Sequence, residues 1–175
     1  LLVFVGPTVR EDWLKKLNLP VPETIDDWHN MLVAFKTKDP NGNGKADELP
    51  FTPSWGLNQS MYFAFSNGAF VGAFGTHQGF YQVKNVVKWG PIEPEYKEFL
   101  KTMAAWYKEG LIDPDWVNMD QKLRDAKITG SQLGSWVAYT GSGIGYFAGL
   151  MAGKEPASFK LIGTLEHCAL GLFPS

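Results

Sequence analysis

The sequence contains a single cysteine, Cys168. One thiol cannot form an internal disulfide, and the sequence has no CxxC pair or other zinc-binding pattern. This cysteine usage suits a reducing cytosol, and it suits equally a bacterial secreted protein that avoids thiols. It therefore excludes a disulfide framework without fixing the compartment.

Long apolar runs and runs of one charge are also absent. No stretch approaches the roughly 20 apolar residues of a transmembrane helix. Lys and Arg number 16 and Asp and Glu number 18, which gives a net charge of −2. Without a basic run, nucleic acid is not an expected partner. The chain has no initiating Met, and its apolar opening, residues 1–5, is too short for a signal peptide. We expect a buried strand there, in a fragment of a larger polypeptide.

Aromatic residues, in contrast, are abundant. They make up 14% of the 175 residues and include seven Trp, while 45% of all residues are hydrophobic. This composition excludes disorder. The length suffices for one domain with a core, so we predict a single domain over residues 1–175. Seven Trp exceed what such a core needs, and we expect some of them to face a cleft or a partner.

The most informative segment is the polar loop at residues 39–48. Its oxygen-bearing side chains alternate as in an EF-hand, where positions 1, 3 and 5 give side-chain oxygens, position 6 is Gly and position 7 offers its carbonyl. At position 12, Pro50 replaces the bidentate Glu of an EF-hand, and Glu48 is the natural substitute. An ordinary Asn/Gly turn is the alternative. We predict a structural calcium bound by the side chains of Asp39, Asn41, Asn43, Asp47 and Glu48 and by the Lys45 carbonyl.

Helical and extended patterns mix irregularly along the chain, which predicts the α/β class. Thr24 and Asp27 indicate the start of a helix that runs to about Lys38. Thr8 and Glu11 indicate the cap of a shorter helix before it. Further on, we predict paired strands over residues 80–89, a helix from about residue 94 to the stop at residue 110, a strand over Leu133–Tyr139, a glycine-rich turn and an apolar helix from residue 146.

Five segments resemble the extracellular solute-binding proteins of bacterial ABC transporters, in particular the large carbohydrate-binding branch anchored as lipoproteins. In family order they are REDWLKKLNL at residues 10–19, PETIDDW at 22–28, DPNGNGKADELP at 39–50, GPIEPEYKEFL at 90–100 and YKEGLIDPD at 107–115. Alginate-binding members are especially similar in the loop, where an Asp-x-Asn-x-Asn-x-Lys-x-Asp-Glu pattern holds a structural calcium. The sequence departs from the family at residues 84–90, where the family often has Asp-Gly-Lys before Tyr-Gly.

The resemblance implies one lobe of a type II periplasmic-binding-protein fold. It implies the solute-binding component of an ABC importer, which binds a carbohydrate, expected to be an oligosaccharide, in the cleft between two lobes. The implied partners are the membrane permease subunits of the transporter. The implied location is the extracellular face of the cell membrane, with a lipid anchor, or the periplasm. Ligand-contacting residues vary across the family, so the identity of the solute does not carry over.

Five residues are candidates for contact with the solute. Trp55 lies in an irregular stretch near Asn58, and Trp136 lies near a strand end before the glycine-rich turn, where α/β proteins gather their ligands. Tyr139 and Ser142 follow Trp136 at the same place. Large aromatic side chains are commonly buried, so a core role is the alternative for each ring.

Two other function classes stay open, a fragment of a glycoside-processing enzyme and a free-standing calcium-stabilised interaction module. Carboxylate pairs occur at residues 26/27, 93/95 and 113/115, but each lies near a helix end, where acids commonly cap. The three His residues stand in unrelated contexts, and no Ser-His-Asp signature is visible. We therefore predict no enzymatic activity.

Overall fold

The computed structural model describes residues 5–53, 69–153 and 160–163. Its strands are β1 (Val5–Arg10), β2 (Leu49–Thr52), β3 (Phe80–Val83), β4 (Val86–Trp89), β5 (Leu133–Tyr139) and β6 (Leu161–Gly163). Its α-helices are α1 (Glu11–Leu17), α2 (Ile25–Thr37), α3 (Ala69–Ala73), α4 (Pro94–Lys108), α5 (Gln121–Thr129) and α6 (Tyr146–Met151). Two 3-10 segments, Gly90–Ile92 and Pro114–Asn118, and a π-helical turn, Thr140–Gly145, complete the described elements.

Four strands form a mixed sheet in the order β2-β5-β1-β6. Strand β1 is antiparallel to both β5 and β6, whereas β2 is parallel to β5. On the edge of β2 that faces away from β5, Phe51 donates its N–H to the Leu111 carbonyl, and its carbonyl accepts from the N–H of Asp113. The hairpin β3–β4 forms a separate two-stranded sheet.

The core lies on both faces of the mixed sheet, because successive side chains of β5 point to opposite sides. Val137 belongs to the larger cluster, with residues of α1, α2 and α4 that include Trp13, Trp28 and Trp106. Trp136 belongs to a second cluster with residues of α5 and α6. A sheet between two helical layers confirms the predicted α/β class. Within the described ranges, no helix is both long and apolar enough to cross a membrane.

Local signals fixed most of the helix ends as predicted. Thr24 caps α2 in a capping box, in which its hydroxyl accepts from the Asp27 N–H and the Asp27 carboxylate accepts from the Thr24 N–H. Asn18 ends α1 at a φ of 54°. The predicted hairpin is also confirmed, and Lys84 and Asn85 in its turn both have positive φ, as a tight hairpin turn requires.

The predicted cap of α1 is wrong. Thr8 lies within β1, where it pairs with Trp136 on one side and Gly163 on the other. Arg10 occupies the N-cap position, and its side chain makes no capping hydrogen bond. The strand takes up the residues that the capping pattern assigned to the helix start, because pairing on both edges of β1 satisfies its backbone.

Candidate functional site

The predicted calcium loop, residues 39–48, connects the end of α2 to the start of β2. Asp39, Gly42 and Gly44 have φ values of 45°, 76° and 72°, so the chain turns sharply within a few residues. At the far end, Leu49 donates its N–H to the Gln132 carbonyl at 2.8 Å, where the parallel pairing of β2 with β5 begins. The loop is therefore held between two fixed elements.

The Asp39 carboxylate organises the first half of the loop. Its Oδ1 accepts from the N–H groups of Gly42 at 2.8 Å and Asn43 at 3.1 Å, and its Oδ2 accepts from Gly44 at 3.0 Å. Partial burial raises the pKa of Asp39, but these backbone donors, together with the charge of Lys16, lower it below its ordinary value. Asp39 is thus held as a carboxylate at the centre of the turn.

The two amide side chains bind inside the loop. Asn41 Oδ1 accepts from the Asn43 N–H at 2.9 Å, and Asn43 Oδ1 accepts from the Lys45 N–H at 2.7 Å. Their Nδ2 groups donate to Asp47 Oδ1 at 3.2 and 3.0 Å. The hydrogen bond from Asn43 is the main cause of a lowered pKa at Asp47. The Asp47 carboxylate therefore already accepts hydrogen bonds from two side-chain amide groups.

Glu48 is the unsatisfied member of the set. It is 8% exposed, and its Oε1 is buried without a hydrogen-bond partner. Burial raises the pKa of Glu48, and the charges of Asp39 and Asp47 raise it further. A buried carboxylate beside two others is unfavourable unless a proton or a cation neutralises it.

These observations fit the predicted calcium, which takes six to eight oxygen ligands from carboxylates, amides and carbonyls. Three carboxylates and two amides stand in one turn, and Glu48 keeps an unused buried oxygen. Among the residues that the structure describes, no three or more His, Cys, Asp or Glu side chains form a ready-made metal site. In the loop, the Nδ2 groups of Asn41 and Asn43 occupy the space around Asp47 that a cation would need.

The loop also docks on distant parts of the fold. Lys16 on α1 donates to the carbonyls of Asp39 and Pro40, at 3.3 and 3.0 Å. Asn41 Nδ2 donates to the Ser131 carbonyl at 3.1 Å, and Gln132 Nε2 donates to Asp47 Oδ2 at 3.4 Å. Lys16, Ser131 and Gln132 were not predicted, because no local pattern marks a contact across 20 to 90 residues. An ion in the loop would therefore connect α1, α2 and the turn between α5 and β5.

The predicted solute-contact residues are only partly visible. Trp55 and Asn58 lie outside the described residues, and the side chains of Tyr139 and Ser142 are not described. Trp136 has no exposed surface, and its ring packs edge-on against Phe147 at 5.4 Å and 78°. This burial supports the core role that the sequence left open for Trp136, and a stacking role stays a prediction.

Two unpartnered polar atoms mark the carboxyl end of the parallel strand pair. Thr52, the last residue of β2, is the register partner of Trp136. Both residues are fully buried, and neither Thr52 Oγ1 nor Trp136 Nε1 has a hydrogen-bond partner. Buried polar atoms are bonded in the great majority of cases, and ligands of α/β proteins bind outside these strand ends. Thr52 was not predicted, since a threonine in a strand gives no functional signal.

Curated proteins are similar in sequence to part of this chain. Fructooligosaccharide ABC transporter substrate-binding protein FusA of Streptococcus pneumoniae is 39% identical over 127 residues, which are 69% of this chain and 23% of FusA. Lipoprotein LipO of Bacillus subtilis is 34% identical over 130 residues, which are 70% of this chain and 24% of LipO. No protein-family model matches the chain. The chain spans about a quarter of the length of these relatives.

Solved structures agree with the sequences. The alginate-binding protein AlgQ2, solved without calcium ion, superposes with a TM-score of 0.73 at 32% identity, over 92% of this chain and 32% of AlgQ2. FusA in complex with kestose gives a TM-score of 0.67 at 30% identity, over 80% of this chain and 28% of FusA. An EF-hand mutant of FusA, solved with fructo-nystose, gives 0.65 at 28% identity, with the same coverage. The resemblance found in the sequence is confirmed: this chain is homologous to part of the solute-binding proteins of carbohydrate ABC transporters.

Proposed function

We propose that this chain is part of the solute-binding component of an ABC importer, and that the component binds an oligosaccharide in a cleft between two lobes. The observation that carries the proposal is 39% identity with a fructooligosaccharide-binding protein over 69% of the chain. The chain would supply most of one lobe. Its partners would be the membrane permease subunits of the transporter. It would lie on the extracellular face of the cell membrane, held by a lipid anchor, or in the periplasm. One relative is itself named a lipoprotein.

Binding without chemical conversion is part of this proposal. At least one carboxylate of each acidic pair that an enzyme could use has a structural partner instead. Asp27 accepts the capping hydrogen bond of α2, and Glu93 forms an ion pair with Lys88 at 2.8 Å. Asp113 and Asp115 both bind the buried Lys127, at 2.8 and 3.1 Å. Carboxylates engaged in this way are poor candidates for the general acid and base of a glycosidase.

We further propose that the loop holds a structural calcium through Asp39, Asn41, Asn43, Asp47, Glu48 and the carbonyl of Lys45. The support is the buried, unpartnered Glu48 oxygen beside two other carboxylates. FusA, a relative, has been solved as an EF-hand mutant, and AlgQ2 has been solved without calcium ion. A bound calcium would supply positive charge to the three carboxylates. The residues of the loop would then hold α1, α2 and the start of β5 together.

Isothermal titration calorimetry tests the binding of a solute. The full-length, two-lobe polypeptide that contains this chain is titrated in calcium with fructooligosaccharides, alginate oligosaccharides and oligogalacturonate, and each mixture is analysed for shortened products by chromatography. We expect saturable binding of at least one oligosaccharide and no shortened product. Hydrolysis would favour the glycoside-processing alternative, and the absence of any binding would favour the calcium-stabilised interaction module. Alanine variants of Trp55, Asn58, Trp136, Tyr139 and Ser142 then test the proposed contacts individually.

A further inference from the structure

The hairpin β3–β4 exposes an apolar face. Its register pairs Phe80 with Trp89 and Gln82 with Val87. Because side chains alternate along a strand, these four residues share one face of the two-stranded sheet. Phe80, Val87 and Trp89 are 76%, 70% and 39% exposed. We call these four residues the hairpin face.

The two rings of the hairpin face form a fixed pair. The Phe80 and Trp89 rings lie 4.6 Å apart at 48°, and the Trp89 ring covers Gly79. Below them, Gly90 donates its N–H to the Gly79 carbonyl at 3.0 Å and abuts the carbonyl of His77 so closely that no Cβ would fit. The base of the hairpin, which carries the two rings, is thus closed by backbone contacts.

The opposite face of the hairpin is held at its base, whereas Val83 and Val86 near its turn are 39% and 59% exposed. Tyr81 stacks near His77 at 5.2 Å, and Lys88 forms an ion pair with Glu93 at 2.8 Å. Lys88 and Tyr81 are both partly buried. The hairpin face is the side opposite these two contacts, and no charged side chain belongs to it.

The size and charge of the hairpin face select the kind of occupant. Two strands of four residues, with about 3.3 Å per residue and about 4.8 Å between strands, cover an area on the order of 130 Å². A stable protein interface needs roughly 800 Å² on each partner, so the face is too small for a second copy of the chain. A face without charge also lacks the cations that would attract a uronate or a phosphate.

Two side-chain amides lie on the hairpin between the rings and the end of the turn. Gln82 Nε2 donates to Asn85 Oδ1 at 3.0 Å, and both amides are exposed. Among the described contacts, this leaves the side-chain oxygen of Gln82, Oε1, to accept from a sugar hydroxyl and the side-chain amide nitrogen of Asn85, Nδ2, to donate to one. Flat apolar surface beside amides is the chemistry that binds a sugar ring, which has an apolar face and a rim of hydroxyls.

We propose that the hairpin face, with Phe80 and Trp89 as stacking rings and Gln82 as a hydroxyl partner, binds one uncharged sugar residue of the oligosaccharide. This inference rests on the proposed function and adds to it a site and a preference for neutral sugars. Covering one ring face removes enough apolar surface from water to change the affinity by about tenfold.

The test combines calorimetry with NMR of the 15N-labelled two-lobe polypeptide that contains this chain, because the indole N–H of Trp89 reports on the hairpin face directly. Fructooligosaccharide and oligogalacturonate serve as the neutral and the charged probe. Phe80→Ala and Trp89→Ala are expected to weaken binding of the neutral probe by about tenfold or more, and Phe80→Tyr keeps the ring and most of the affinity. Ile92→Ala is the matched control, since Ile92 is 77% exposed but lies outside the hairpin face.

Each outcome decides the inference. A shift of the Trp89 indole signal by the neutral probe, with the expected losses, supports it. Binding of the probe without that shift, and with unchanged affinity in both alanine variants, overturns the hairpin site and leaves the proposed function standing. No binding by the unaltered two-lobe polypeptide refutes both. A concentration-dependent Trp89 shift without sugar assigns the face to a second copy instead. A Trp89 signal that is already protected in a longer polypeptide containing this chain assigns the face to an intrachain neighbour.

Discussion

Replacing Glu48 by Gln tests the calcium loop most directly, because it removes one charge and keeps the size of the side chain. If calcium is supplied at 100 times its dissociation constant, it stabilises the unaltered chain by about 2.7 kcal/mol. One kcal/mol shifts the melting temperature of a domain of 150–250 residues by about 2–4 °C. Calcium should therefore raise the melting temperature of the unaltered chain by about 5–11 °C.

The same substitution has opposite effects with and without calcium. A hundredfold loss of affinity, which even supporting groups around a metal can cause, leaves about 0.4 kcal/mol at the same calcium concentration. The calcium shift then falls to about 1–2 °C. In EDTA, however, Glu48→Gln should melt at or above the unaltered chain, because the amide removes a buried charge that Asp39 and Asp47 repel.

Differential scanning calorimetry in calcium and in EDTA measures both effects. Glu98→Gln is the control, since Glu98 is 58% exposed and lies on α4 away from the loop. It should leave the calcium shift unchanged. Two results would refute the reasoning: an equal calcium shift in Glu48→Gln and the unaltered chain, or a Glu48→Gln variant that is clearly less stable in EDTA.

Three further substitutions test the scaffold. Hydrogen bonds from the Thr24 hydroxyl and from backbone N–H groups lower the folded-state pKa of Asp27. Its carboxylate therefore stabilises the fold above the unfolded-state pKa, and this stabilisation is lost as the pH falls through the folded-state pKa. Urea melts of Asp27→Asn should show destabilisation at pH 7 that vanishes in acid, and a loss of stability independent of pH would contradict this. Gly90→Ala should open the base of the hairpin, because its Cβ would lie 1.4 Å from a backbone oxygen, and hydrogen exchange that stays slow across β3–β4 would count against it. Lys127→Ala should lower the free energy of unfolding in urea melts by about 3–5 kcal/mol, because it leaves the fully buried Asp113 charge unpaired. The double variant Lys127→Met and Asp113→Leu should recover most of that stability. If it does not, the loss in Lys127→Ala is due to packing.

Features encoded within a few residues were predictable from the sequence. The capping box of α2 and the Asn–Gly pattern of the loop depend on neighbours three to five positions apart, and both patterns specify which backbone groups must be satisfied. The hairpin turn at Lys84 and Asn85 was predicted for the same reason. The prediction of a carbohydrate ligand came from the family resemblance, because neither the spacing of residues nor the composition of this chain indicates one.

Features that depend on distant residues were not predictable. Thr8 satisfies a capping pattern locally, but pairing of β1 with two strands from the other end of the sequence assigns it to the sheet. The contact of Lys16 with the loop depends on how α1 and α2 pack, which the sequence does not state. The surplus of aromatics was visible in the composition, yet only the structure separates the buried Trp136 from the exposed pair at Phe80 and Trp89.

The order of the mixed sheet also determines when the fold can form. Strand β1 is made before its partners β5 and β6, which lie more than 120 residues later in the sequence. At a synthesis rate of about 5–20 residues per second, β1 waits on the order of 6–25 seconds for β5 to emerge. During this time α2 and the loop at residues 39–48 depend only on local contacts, whereas both edges of β1 stay unpaired. A growing chain of this topology is therefore most prone to aggregation before β5 is complete, and binding of a chaperone should be strongest at that stage.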